Sequence, residues 1–298
     1  MRPDWIAVDW GTTSLRAFAM SGDEVLDEAS SDQGMGGLHP DAFEDALLAI
    51  VEPWLTDSPM VVVACGMVGA QQGWVEAPYS AVPAAPLAAP AIPAPTKDPR
   101  LSVFIIPGLR QDDPADVMRG EETQIAGYLA TNPDFDGVLC LPGTHTKWAH
   151  ISAGEVVSFR TFMTGELFAA LTGSTVLKHS VGSGLDLHAF DAALNDTLSR
   201  PESLAARLFG IRAGALLADL TPDAARGRLS GLLIGAELAA AKPYWLGQNV
   251  ALIGAPKLSA IYQRALSQIG LEPIVADVRA TTIAGLSAAK AQKEAPDS

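Results

Sequence analysis

Asp9-Trp10-Gly11-Thr12-Thr13-Ser14 sets a carboxylate at the end of an apolar run, then a glycine, then three hydroxyls in succession. Gly11 admits backbone geometry that a Cβ opposes. An acid at a strand end, followed by hydroxyls and backbone N–H groups in a turn, suits a hydrated metal ion beside phosphate oxygens. Arg16 adds a cation two residues past the turn. The plainer reading is a hairpin turn with an exposed Asp. Half a chain later, Pro142-Gly143-Thr144-His145-Thr146-Lys147 repeats the pattern after another apolar run. Two such turns facing one another would grip a polyphosphate from both sides. Between them, Arg119-Gly120-Glu121-Glu122-Thr123-Gln124 carries paired acids in a first helical turn. Such a carboxylate can accept a hydroxyl proton during phosphoryl transfer, or it can simply complement the helix dipole. Three glycines, Gln71, Gln72 and Trp74 follow the run Val61–Cys65. Amides and an indole suit a polyhydroxylated ligand, and a glycine-rich loop with a packed Trp is the alternative.

These residues need a scaffold. Ile6–Val8 and Leu15–Met20 read as strands around the first turn, and Glu24–Ser30 as a third, which would put that turn at a sheet edge. Pro40–Trp54 has Phe43, Ala46, Leu47 and Ile50 at helical spacing. Met60–Ala64 and Val103–Ile106 are strands. Residues 77–100 carry seven prolines and should be extended and irregular. A helix is expected from Asp116 through Leu129. Gly137–Leu141 is a strand, Trp148–Ile151 and Val156–Phe159 a hairpin, and Phe162–Phe168 leads into a helix. Asp186–Lys242 is mostly helical in pattern. Val250–Ile253 is a buried strand ending in Gly254-Ala255-Pro256, followed by helices over Lys257–Ile269 and Ala280–Lys290. The end, Gln292–Ser298, reads as frayed.

At 298 residues the chain suffices for one large or two smaller domains, and 48% hydrophobic against 18% charged residues indicates packed cores. A net charge of −14 argues against nucleic acid or an anionic membrane as partner, and an anionic substrate would need local cations. Both cysteines, Cys65 and Cys140, lie in apolar runs and read as buried free thiols. No Cys/His spacing typical of a metal site, signal-peptide pattern or membrane-length apolar run is seen, so a soluble cytoplasmic protein is expected.

Asp9-Trp10-Gly11-Thr12-Thr13-Ser14-Leu15-Arg16-Ala17 resembles the first phosphate motif of the actin-like sugar-kinase superfamily. Gly66-Met67-Val68-Gly69, Met118–Gln124, Leu141–Trp148 and Phe162–Phe168, taken in order, resemble the 2-dehydro-3-deoxygalactonokinase family over almost the whole chain. The resemblance implies an α/β fold of two ribonuclease-H-like (actin-like ATPase) domains with an interdomain cleft. Residues 1–112, joined by the helix 278–292, would form the first and 113–277 the second. It implies ATP-dependent phosphorylation of the 6-hydroxyl of 2-dehydro-3-deoxy-D-galactonate with Mg²⁺. Asp9 would hold the hydrated Mg²⁺, and Gly11, Thr12, Thr13, Ser14 and Arg16 would line the phosphates. Gly143 and Thr144 would form the second phosphate turn, and Gly254-Ala255-Pro256 match the adenosine motif. The base position, an Asp in hexokinase-like members, falls on Glu121, with Glu122 its neighbour.

The second turn departs from many relatives in carrying His145 and Lys147, which suits a carboxylate substrate. Lys147, Arg119 or His145 could pair that carboxylate. For Lys147, a strand residue pointing to solvent is the competing reading. Gly69, Gln71 and Trp74 complete the expected substrate contacts. The expected partner is a small sugar acid, with no nucleic acid and no membrane, and the reading admits a homodimer. Two alternatives stand beside it: a kinase of the same superfamily acting on another sugar acid, such as 2-dehydro-3-deoxygluconate, and a non-catalytic nucleotide-binding module.

Overall fold

The structure, a computed structural model, describes residues 2–295. The chain forms two compact units. One comprises the chain up to Asp136, Ile151–Ser158 and the chain from Asp277 onward; the other comprises Gly137–His150 and Phe159–Ala276.

In the first unit, β1 (Trp5–Trp10), β2 (Leu15–Ser21) and β3 (Glu24–Ser31) form an antiparallel meander. A 3-10 turn over Pro40–Ala42 enters α1 (Phe43–Val51), and β4 (Met60–Gly66) then pairs parallel to β1. The proline-rich stretch yields only short β5 (Tyr79–Ala81) and β6 (Ile92–Pro93). β7 (Leu101–Ile105) lies parallel to β4, completing a sheet of order β3-β2-β1-β4-β7-β6. β1 is therefore an interior strand, so the Asp9 turn stands at a strand end within the sheet, not at its edge. Side chains alternate across a strand, and here both faces are covered. Ile6, Val8 and Trp10 pack on one face with Phe43 and Leu47, whereas Trp5 and Ala7 pack on the other with Ile283 and Leu286.

β8 (Gly108–Asp112) and β9 (Ala115–Met118) form a hairpin that joins β5 in a small sheet. Asp116–Met118 are thus ladder residues, and the expected helix opens only at α2 (Glu121–Thr131). Gly120, at φ +108°, cannot belong to a right-handed helix and forces the later start.

A second three-strand run follows, most of it in the second unit, with its hairpin tip Ile151–Ser158 grouped with the first. β10 (Gly137–Leu141), β11 (Thr146–Ser152) and β12 (Glu155–Phe162) lead into α3 (Thr164–Ser174), α4 (Leu187–Ser199), α5 (Leu204–Leu217), α6 (Pro222–Ala240) and the single turn α7 (Lys242–Trp245). β13 (Val250–Gly254), α8 (Pro256–Ser267) and β14 (Ile274–Asp277) follow. The sheet order is β12-β11-β10-β13-β14, so the 3-2-1-4-5 order of a ribonuclease-H-like sheet occurs twice in the chain. Both sheets carry helices, and the fold is that of two actin-like domains. On α6, Gly227, Gly231 and Gly235 recur at one helical face, where a Cβ would stand 2.2–2.5 Å from backbone oxygens of Asp186, Phe190 and Leu194. That stripe lets α4 and α6 meet backbone to backbone.

α9 (Val278–Glu294) returns to the first unit and packs along α2. A Cβ on Gly127 would lie 1.8 Å from the Thr281 oxygen, and one on Gly285 would lie 1.9 Å from the Thr123 oxygen. This contact sets α2 in the first unit, so the expected boundary after residue 112 falls too early. α9 also extends past residue 292; of the expected frayed end, 292–294 are helical and 296–298 lie outside the described residues.

Candidate functional site

In the first unit, Asp9 pairs in register with Arg16 across the β1–β2 ladder, and the Arg16 guanidinium donates to its carboxylate at 2.8 Å. The Asp9 side chain is 15% exposed and Arg16 51% exposed. Burial pushes the Asp9 carboxyl up, and the Arg16 charge opposes that rise. Thr12 and Thr13 are exposed, and the Gly11 N–H closes the turn onto the Ser14 carbonyl at 2.9 Å. The turn has a support that sequence reasoning missed. Met35 and Gly36 N–H groups bond the carbonyls of Gly11 and Thr12 at 3.0 and 2.9 Å. A Cβ on Gly34 would stand 2.3 Å from the Thr12 oxygen. The signal was present as the glycine-rich run Gly34-Met35-Gly36-Gly37.

The start of α2 comes close to the end of β4, where a Cβ on Gly120 would lie 3.1 Å from Gly66 Cα. Cys65, near the end of β4, has its Sγ 4.0 Å from Asp9 Oδ1. Burial, then the charges of Asp9 and Glu122, hold its thiol well above the ordinary range. Glu122 is fully buried; its two oxygens accept the Gly120 N–H at 2.9 and 2.7 Å, and one accepts the Thr123 hydroxyl at 3.1 Å. Desolvation first, and the neighbouring Glu121 charge second, raise its pKa to about 7. Glu121 is only half-buried and accepts the Arg119 N–H at 3.1 Å. The paired acids therefore have different surroundings: Glu122 is sealed and braces the turn, and Glu121 is the more exposed of the two. Gly66, at φ +95°, makes the convergence possible, since a Cβ there would lie 2.6 Å from the Trp10 oxygen.

Arg119 is buried. Its Nη2 donates to the Ala77 carbonyl at 2.7 Å and its Nε to the Tyr79 hydroxyl at 3.2 Å, with the guanidinium 4.1 Å over the Tyr79 ring. Its Nη1 is sealed without a hydrogen-bond partner among the described residues. Gly69 makes room for it, because a Cβ would stand 2.9 Å from that nitrogen. Gln71 is exposed. Trp74 takes the packed alternative: its N–H donates to the Pro95 carbonyl at 3.0 Å, and its ring stacks on Phe43 and meets the edge of Trp10. Its indole N–H is therefore not on offer to a ligand.

In the second unit, α3 abuts the turn after β10. Glu166 N–H donates to the Thr144 carbonyl at 2.9 Å, and a Cβ on Gly165 would lie 2.3 Å from the Gly143 oxygen. Thr144 and His145 are exposed, and the His145 imidazole bonds the Glu166 carboxylate. Lys147 is 5% exposed, so it does not point to solvent as the competing reading had it. Gly254 sits tightly against the Pro142 carbonyl, Ala255 caps α8, and Pro256 occupies its first turn. A largely apolar cavity of about 580 Å³ opens among Gly143, Gly165, Phe168, Arg226, Lys257 and Ile261. Phe168 and Arg226 are further residues that sequence reasoning missed; the Arg226 guanidinium lies 4.9 Å over the Phe168 ring.

A model of the 2-keto-3-deoxy-galactonokinase family matches residues 9–289. The chain is a member of that family. It is 40% identical over 298 residues to the probable 2-dehydro-3-deoxygalactonokinase of Rhizobium meliloti, covering 96% of each chain. It is 37% identical over 281 residues to the 2-dehydro-3-deoxygalactonokinase of Escherichia coli, covering 91% of this chain and 92% of that one. The crystal structure of a Sinorhizobium meliloti protein assigned to the same kinase superposes with a TM-score of 0.86 at 38% identity, covering 97% of this chain and 98% of that one. Membership implies a kinase that uses ATP. No helix among the described residues is long and apolar enough to cross a membrane.

Proposed function

We propose that this chain transfers the γ-phosphoryl group of ATP to the 6-hydroxyl of 2-dehydro-3-deoxy-D-galactonate. The observation that carries the reading is the meeting of the Asp9–Ser14 turn with the start of α2: Cys65 Sγ lies 4.0 Å from Asp9 Oδ1, a Cβ on Gly66 would stand 2.6 Å from the Trp10 oxygen, and one on Gly120 would stand 3.1 Å from Gly66 Cα. Glu121, the accessible acid, takes the proton from the 6-hydroxyl as its oxygen bonds to the γ-phosphorus; the bond from that phosphorus to the bridging oxygen breaks and ADP leaves. Glu122 holds the Gly120 turn that aims Glu121.

In the first unit Thr12, Thr13 and Ser14 offer donors to phosphate, with Gly11 shaping the turn by its N–H bond to the Ser14 carbonyl; in the second unit the Gly143–Thr144 turn is a phosphate-type turn of its own. The apolar cavity beside Gly143 and Lys257 has the size of a nucleoside seat, and its lining takes in Lys257 and Leu258, which directly follow Gly254-Ala255-Pro256 in the chain. No cluster of three or more His, Cys, Asp or Glu side chains that could hold a metal is found among the described residues. A hydrated Mg²⁺ arriving with the nucleotide fits this, because such an ion needs one or two carboxylates plus phosphates, and Asp9 supplies one. When bound, Mg²⁺ neutralises developing phosphate charge. Exposure favours His145 over the buried Lys147 and the sealed Arg119 as the group that pairs the substrate carboxylate.

An ADP-release assay with Mg²⁺-ATP tests the reading against 2-dehydro-3-deoxygalactonate, 2-dehydro-3-deoxygluconate, gluconate, galactonate, glycerol and glucose. Turnover strongest on the first compound is expected. Stronger turnover on another would overturn the substrate assignment, and silence on all with ATP still bound would overturn catalysis.

A further inference from the structure

Glu237 lies on α6, two residues past the last glycine of the α4 contact, and is 3% exposed. Its carboxylate gathers donors from three other elements of the same unit. Trp148 Nε1 of β11 donates to Oε1 at 2.9 Å, and the Tyr262 hydroxyl of α8 donates to Oε2 at 2.8 Å. The Thr164 hydroxyl, at the first residue of α3, also donates to Oε2. Thr146 Oγ1 joins through the Tyr262 hydroxyl at 2.9 Å. A buried carboxylate is tolerated only when its lone pairs are met this fully.

The partners flank one short segment. Thr146 leaves the Gly143–Thr144 turn on one side. Thr164 opens the helix whose next two residues press on that turn on the other, Gly165 against the Gly143 oxygen and Glu166 N–H on the Thr144 carbonyl. We infer that Glu237 is a positioning residue that sets the Gly143–Thr144 turn for the phosphates of ATP, resting on the proposed role of that turn. It touches no ligand; it acts by holding both flanks of the turn. The same network lines one side of the cavity with Thr164, Gly165 and Tyr262.

The test compares binding of ATP and of adenosine, which lacks phosphates, by titration calorimetry. Glu237→Met keeps the length and removes both acceptors. It should weaken ATP about tenfold and adenosine by less than about threefold. Glu237→Gln should restore ATP binding to within about threefold, because the Tyr262 and Thr164 hydroxyls can turn to accept from the amide. Equal weakening of both ligands, or of neither, in a folded Glu237→Met protein overturns the proposal. If that variant does not fold, Tyr262→Phe decides: it deletes only the buried hydroxyl and should weaken ATP selectively, and failure to do so overturns the proposal. Gly143→Ala separates the two readings, since its Cβ would meet only the His145 oxygen at 3.8 Å and leave the fold intact. If Gly143→Ala leaves ATP binding unchanged, the reading of the turn falls, and the role of Glu237 with it. If Gly143→Ala weakens ATP and Glu237→Met does not, the role of Glu237 alone falls.

Discussion

Glu121 and Glu122 are adjacent in sequence and have the same functional group, yet their surroundings differ. Successive helix residues point about 100° apart, so one carboxylate turns into the sheet and the other stays accessible. Glu121→Gln is expected to lower kcat by about 10²–10⁴ while ATP binding is kept, as for loss of a general base. Glu122→Gln should cost far less in kcat, because its amide oxygen still accepts the Gly120 N–H; comparable losses in both would refute the division. Glu122 also has a stability signature. Its folded pKa of about 7 stands above the ordinary 4.5, so the native state retains a proton that the unfolded chain releases. Its contribution is full below pH 4.5, falls as pH rises toward 7, and is flat above that. The whole span is worth about 3 kcal/mol. Melting profiles of the ligand-free protein should therefore decline less steeply between pH 5 and 7.5 in Glu122→Gln (window set by the two values above). An unchanged slope would mean that Glu122 is not buried as described.

At the scale of elements, glycines decide what lies against what. The acid-bearing helix α2 is held by α9 through Gly127 and Gly285, whose Cβ positions are filled by backbone oxygens. Gly285→Ala should destabilise the protein by about 3 kcal/mol or more, since neither helix can yield without moving. Thermal melting measures this. Because α2 also carries Glu121, activity at a temperature where the variant remains folded should fall as well; retained stability would show that the helices do not meet at these glycines. Gly34 has the corresponding role under the Asp9 turn, and Gly227, Gly231 and Gly235 between α4 and α6. These positions are legible as glycines in the sequence, but their partners lie up to about 160 residues away (Gly285 against Thr123), and no local pattern names them. Asp116–Met118 read as helix for a different reason: their partners on β8 lie only five to nine residues back in a tight hairpin, and the helical spacing that continues through α2 masked that pairing.

Each unit holds hydrophobic clusters of its own among the described residues. The clusters around Ile6 and Trp5 involve only the first unit, and those around Val138 and Leu177 only the second. Each unit also contains one of the free, buried thiols, Cys65 in the first and Cys140 in the second. A thiol reagent should find neither in the native protein and both in denaturant. Cys65 and Cys140 lie in clusters of different units, so the two thiols are expected to emerge in two steps as denaturant rises. Cys65→Ser and Cys140→Ser would assign each step, and a single coincident step would show that the units unfold together.

The repeated strand–turn–strand pattern, the order of elements and the positions of the two glycine-bearing turns follow from residue types and spacing in the chain, because pleat, helix pitch and turn chemistry act over a few residues. Asp9, Gly11 and Gly143 were readable for that reason. Which of two neighbouring acids is sealed, that Trp74 packs on Phe43, that α9 returns to clamp α2, and that Glu237 inside an apolar helix gathers Trp148, Thr164 and Tyr262 were decided only by the tertiary structure. Burial and hydrogen-bond partnership belong to groups far apart in the chain. Their free energies depend on what desolvates each group, and neither periodicity nor a short motif carries that information.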